Sequence, residues 1–248
     1  MIAPWLLTPD VLGQSRSDGY EANMDLGPVG SCPAKPSLLI AISDDSGSVT
    51  SPGGADPIAN RYQEMDRAFS AVADVCRCNQ EWAAVLHFDT PSGDSGPHPL
   101  TQTGLRQLRT GLRVPDGVAG SSQLMPPLAS AIELAHRYPG CDVVLMVFSD
   151  FLLADPDPPA ILEALGSFPG TVYACLLGRE PGTTIPGVDR TIAVGGTRRA
   201  GDVARALMTG LTAHRGSGSA ADDHPSAGSR RLIGAALRAH PHRFNTID

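Results

Sequence analysis

Asp44, Ser46 and Ser48 place one carboxylate and two hydroxyls at alternate positions, directly after the apolar run Ser37-Leu38-Leu39-Ile40-Ala41-Ile42-Ser43. Oxygen donors of this kind suit a hard cation such as Mg²⁺, Mn²⁺ or Ca²⁺, whereas zinc prefers sulfur and nitrogen. The apolar run reads as a buried strand, and open α/β sheets bind ligands in the crevice outside the carboxyl ends of their strands. Asp, Ser and Gly are also the commonest turn residues, so the triplet by itself does not separate a metal site from a tight turn.

A second apolar run, Val143-Val144-Leu145-Met146-Val147-Phe148, ends in Ser149-Asp150, and between the two Gly120-Ser121-Ser122-Gln123-Leu124 puts a hydroxyl just before a helical pattern. In these elements the chain resembles the von Willebrand factor type A (VWA) family. The metal-ion-dependent adhesion site of that family uses Asp-x-Ser-x-Ser, a Thr from a distant loop and an Asp after a later strand. The resemblance covers Pro36 to His214 and implies that Asp44, Ser46, Ser48, Ser122 and Asp150 surround a divalent cation, Mg²⁺ foremost with Mn²⁺ or Ca²⁺ as alternatives. It implies direct coordination by the two seryl hydroxyls and partly water-mediated coordination by Asp44 and Asp150. Ser122 departs from the usual Thr but keeps the coordinating oxygen.

The resemblance further implies an adaptor that recognises a protein partner presenting Asp or Glu to the bound cation. Hydroxyls donate little charge and water-separated carboxylates neutralise incompletely, so such a cation stays attractive to an incoming carboxylate. Phe151, Leu152 and Leu153 follow Asp150 directly and read either as a cap on the core or as an apolar rim, with Phe151 and Leu152 then touching the partner. Bacterial VWA proteins that accompany MoxR-like AAA+ ATPases carry a similar Ser-Asp-Phe-Leu sequence, which is the pointer to an ATPase-associated complex. Asp45, at a variable position of the motif, is expected to be solvated. Two rival readings stay open: a Mg²⁺-dependent hydrolase, and a structural VWA module with a vestigial site. Against the enzyme, the chain has no Gly-rich lysine-containing phosphate loop, no Gly-x-Ser-x-Gly elbow and no convincing base beside the motif, His87 reading as a core or sheet-face residue.

The elements that must position these groups alternate between strand and helix patterns. Asp56-Pro57 supplies an N-cap and first-turn proline to a helix carrying Ile58, Tyr62, Met65, Phe69 and Val72 on one face. Trp82 to Phe88 reads as a strand and Thr103 to Leu112 as a short helix, while His98 to Leu100 is too short to assign from its own pattern, the resemblance implying an antiparallel edge strand near it. A helix follows Leu124 with Pro126 and Pro127 in its first turn, and another opens at Pro158-Pro159. Gly170 to Leu177 and Thr191 to Val194 read as strands, and Val203 to Leu211 as a last helix. This alternation predicts an α/β fold, a Rossmann-like open, mainly parallel sheet with helices on both faces.

Composition is consistent with that architecture. The chain has 248 residues, 42% hydrophobic, enough for one well-buried core. Its net charge of −7 excludes an electrostatic nucleic-acid binder, and no stretch reaches the apolar length of a membrane span. The start Met1-Ile2-Ala3-Pro4-Trp5-Leu6-Leu7 does not read as a secretory signal, so the expected setting is cytoplasmic. The five cysteines, Cys32, Cys76, Cys78, Cys141 and Cys175, show no framework spacing and read as small, mostly buried residues. Residues 1–35 read as an amino-terminal arm, 36–214 as the VWA domain, 215–228 as a flexible linker and 229–248 as a tail with a short helix at Ser229 to Ala239, His240 and His242 being solvated.

Overall fold

Apolar runs of seven or eight residues flanked by polar turns build the sheet at the centre of the molecule. The computed structural model describes residues 26–56, 60–88, 93–116, 120–179, 182–194 and 201–215. Its strands are β1 (Ser37–Ser43), β2 (Glu81–His87), β3 (Ser95–Pro99), β4 (Asp142–Ser149), β5 (Thr171–Leu177) and β6 (Arg190–Val194). They form one sheet in the order β3-β2-β1-β4-β5-β6, parallel throughout except for the β2–β3 pair. Pro97 and Pro99 fit β3 because an edge strand can spare the ladder donors that proline lacks.

Alternate residues of a strand point to opposite faces, and here both faces are covered. Leu39, Ala41, Val144, Met146 and Phe148 face one apolar layer, while Leu38, Ile40, Ile42, Val143, Leu145 and Val147 face the other. The first layer is closed by α2 (Asn60–Val75), α3 (Gln102–Leu108) and α6 (Asp202–Thr212), the second by α4 (Met125–Arg137) and α5 (Pro158–Gly166). One further turn, α1 (Gly47–Thr50), follows β1 directly. Burial on both sides is why the central strands are apolar without interruption.

The sequence patterns place most elements, and the expected face of α2 is buried at Tyr62, Met65, Phe69 and Val72. Proline stands in the first turn of both α4 and α5. The helix expected to run to Leu112 ends earlier, at Leu108, where the chain turns so that Gly111 lies against Ser95 and its carbonyl reaches His87. Pro57, Ile58, residues 1–25 with Trp5, Leu6, Leu7, Val11 and Leu12, and the expected tail helix with His240 and His242 lie outside the described residues. Within the amino-terminal arm, Leu26 and Val29 pack against the first apolar layer.

The sheet changes its direction of winding at β1. From β1 the chain crosses through α2 to β2 on one side, and later returns through α4 to β4 on the other side of β1. The carboxyl ends of β1 and β4 therefore flank a topological switch point, the place where side chains from two adjacent strand ends converge.

Candidate metal centre

The β1–β4 ladder continues one step past β1, the Asp44 N–H donating to the Phe148 carbonyl at 2.9 Å. That register sets Asp44 beside Ser149 and Asp150 at the switch point. Asp44 is fully buried; one carboxylate oxygen accepts the Ser46 N–H at 2.8 Å and the other the Ser149 hydroxyl at 2.5 Å. The Ser46 and Ser48 hydroxyls lie 3.0 Å apart at the start of α1. Asp150 is buried, with one carboxylate oxygen accepting the Leu152 N–H at 3.0 Å.

Ser122 sits in the loop before α4, and that loop comes to the same place. A Cβ on Gly120 would lie 3.8 Å from the Gly47 nitrogen, and the Ser122 carbonyl accepts the Ala154 N–H at 2.8 Å. Asp155 caps α4, its two carboxylate oxygens each accepting at 2.9 Å, from the Leu124 and Met125 N–H groups. Three loops are thereby joined around Asp44, and Asp155 was missed by sequence reasoning because its helix-capping role spans two different elements.

The electrostatics favour a cation here. Burial pushes the Asp44 carboxyl above the usual carboxylate range; the hydrogen bonds from Ser149 and Ser46 work against that, and the negative charge of Asp150 adds to it. Two guanidiniums reach the site, and each donates to a backbone carbonyl: Arg61 to that of Asp44 and Arg179 to that of Asp150, both at 3.1 Å. A buried carboxylate beside a second one, with two hydroxyls aligned next to them, is a donor set that fits a hard divalent ion.

Asp45 corrects the sequence reading. Instead of being solvated it is 1% exposed, and its carboxylate accepts from Arg61, from the Tyr62 hydroxyl at 2.6 Å and from His87 Nδ1 at 2.7 Å. Arg61, fully buried, also donates to Asp56 at 2.8 Å and to the Ser43 hydroxyl at 3.2 Å. The motif loop is thus anchored from below, by α2, while Asp44 and the seryl hydroxyls occupy its upper side. The cause is the pleat: with Asp44 turned toward Ser149, the next side chain points the opposite way, into the first layer. A base does stand near the motif in His87, yet its Nε2 is engaged by the Gly111 carbonyl at 2.8 Å and the ring is buried, so it is a structural group.

Phe151 and Leu153 pack partly buried against the second layer, whereas Leu152 is 55% exposed. The apolar triplet therefore divides between capping the core and lining the rim. Phe151 adopts a left-handed backbone (φ 54°), which turns the chain between Asp150 and the exposed Leu152.

No protein-family profile and no curated protein sequence matches the chain. Solved structures do. A von Willebrand factor type A protein from Catenulispora acidiphila superposes with a TM-score of 0.50 at 11% identity, over 71% of this chain and 43% of that one. The pilus adhesin SpaC from Lactobacillus rhamnosus GG gives 0.54 at 10% identity, over 73% and 30%. Proximal thread matrix protein 1 from the mussel byssus gives 0.49 at 14% identity, over 73% and 48%. The match spans less than half the length of each of these proteins. At such identities the likeness concerns architecture: this chain has the VWA fold, a mostly parallel six-stranded α/β sheet with helices on both faces.

Proposed function

We propose that the domain is a metal-dependent binding module in which Asp44, Ser46, Ser48, Ser122 and Asp150 hold a divalent cation, Mg²⁺ by preference, for a partner's carboxylate. The single observation behind this reading is the convergence at the β1/β4 switch point of a buried carboxylate, a second carboxylate and paired seryl hydroxyls. When bound, the cation would supply positive charge for an Asp or Glu side chain. The chain's own part is to hold the oxygens in place through Ser149, Asp155 and the Arg61–Asp45 anchor, and to offer Leu152 as an apolar contact beside Asp150. The partner is a protein, and the Ser149-Asp150-Phe151-Leu152 sequence leads us to place it in an AAA+ ATPase-associated complex of the cytoplasm.

The decisive experiment is Mg²⁺ calorimetry and immobilised-chain capture, each run with the wild type, Asp44→Asn and Asp150→Ala. Mg²⁺ binding and chelator-sensitive capture, both lost in the variants and the capture competed by a glutamate-rich peptide, are the expected outcome. Absence of any Mg²⁺ heat would support a vestigial site, and Mg²⁺-dependent phosphoester turnover abolished by Asp44→Asn would support an enzyme.

A further inference from the structure

A second cluster of donor atoms, on the opposite side of the chemistry from the hard oxygens, lies where the amino-terminal arm meets the end of α2. Cys76 closes the last turn of α2, its N–H donating to the Val72 carbonyl at 2.8 Å, and the bend at Cys78 brings the second sulfur back beside the first. Their Sγ atoms are 2.9 Å apart. Cys32, 44 positions from Cys76, is brought to the same point with its Sγ 3.5 Å away. All three sulfurs lie within 4.8 Å of one another.

The arm is held there by Arg215, which donates to the carbonyls of Val29 at 2.9 Å and Gly30 at 3.3 Å while pairing with Glu81. Clustered thiols could be packing groups, since a free cysteine behaves as a small hydrophobe. That account fails for Cys32, which is exposed while Cys76 is buried and Cys78 lies between. Disulfide pairing would always leave one of three sulfurs over, whereas one cation serves all three.

Geometry and charge agree on the kind of cation. With a zinc–sulfur distance of about 2.3 Å, a tetrahedral site has sulfur edges of roughly 3.8 Å; the separations of 2.9 and 3.5 Å fall short of that, so an ion would spread these sulfurs apart by about 1 Å or less. We propose that Cys32, Cys76 and Cys78 form a three-thiolate zinc site, separate from the oxygen centre above β1 and β4. Soft sulfur donors select zinc over Mg²⁺ or Ca²⁺. The exposed position of Cys32 leaves the fourth coordination position facing solvent. Glu81, which lies against the Cys76 thiol, has its charge taken up by Arg215. Hydrogen bonds from Cys78 and Cys76 already pull the Cys32 thiol below its ordinary value, while burial pushes the Cys76 thiol up. An ion at this point would tie the arm to α2 and Arg215, closing the lower edge of the sheet where the Ser37 N–H donates to the Gln80 carbonyl.

The test uses the full chain, freed of metal under reductant and titrated with Zn²⁺ against a chromophoric chelator. The expected result is one tightly bound zinc, slowed alkylation of Cys32 and Cys78 by mass spectrometry, and a thiolate-to-metal charge-transfer band when Co²⁺ replaces zinc. Cys32→Ser, at an exposed position, and Cys78→Ser should each lower zinc affinity by more than about tenfold, the loss that even a supporting residue around a metal typically causes. Cys141→Ser should leave it unchanged. Undiminished zinc affinity in Cys32→Ser, a cobalt spectrum without sulfur charge transfer, or a disulfide among the three in chain purified without oxidant would overturn the proposal.

Discussion

Replacing Asp45 by alanine tests whether the motif loop is anchored from beneath. The substitution removes the acceptor shared by Arg61, Tyr62 and His87, all of them buried. Leaving one member of a buried ion pair behind costs about 3–5 kcal/mol. Arg61 keeps Asp56, Ser43 and the Asp44 carbonyl, which places the electrostatic loss at the lower end of that range. The Tyr62 and His87 hydrogen bonds add about 1 kcal/mol each, so the total is about 5 kcal/mol. For a domain of this size that corresponds to a fall in Tm on the order of 10 °C. The measurement is urea unfolding followed by circular dichroism in chelator, so that metal binding does not enter. Asp45→Asn, which preserves shape and one acceptor, should lose less. A loss below about 1 kcal/mol for Asp45→Ala, the value of an exposed ion pair, would refute the anchoring argument.

Other consequences can be measured in parallel. Wild-type Tm should rise with Mg²⁺ concentration as linkage requires, and the rise should vanish in Asp44→Asn; this variant is preferable to alanine because Asp44 is fully buried and its carboxylate accepts two hydrogen bonds. Ser122→Thr should keep Mg²⁺ affinity and Ser122→Ala should weaken it, as read by calorimetry; equal affinity in the alanine variant would remove Ser122 from the site. Glu64 is buried and accepts the N–H groups of Gly201, Val203 and Ala204 at 2.9, 2.9 and 3.2 Å. Glu64→Ala should therefore free the start of α6 and cost about 2–3 kcal/mol in urea unfolding, the range for hydrogen bonds to a charged group.

The order of strands and helices and the paired apolar layers are written in the chain as local patterns, whereas the five proposed oxygen donors are singled out by resemblance to the VWA family. Leu38 to Ile42 and Val143 to Phe148 are apolar without interruption because both sheet faces are covered, and that pattern needs no knowledge of which partner covers which face. The order Asp44, Ser46, Ser48 after β1 is likewise local, but the two hydroxyls meet because the chain turns into α1 at Ser46 and Ser48 lies in that turn. What each donor rests on was decided only in three dimensions. Asp45 reads as solvated in the sequence, whereas α2 delivers Arg61 and Tyr62, and β2 delivers His87, to its carboxylate. Ser149 and Asp155 acquire their roles from Asp44 and α4, elements distant along the chain. Cys32 joins Cys76 and Cys78 across 44 positions for the same reason. Sequence carries periodicity and residue chemistry; the pairing of groups far apart along the chain is set by register and packing, which exist only once the sheet has formed.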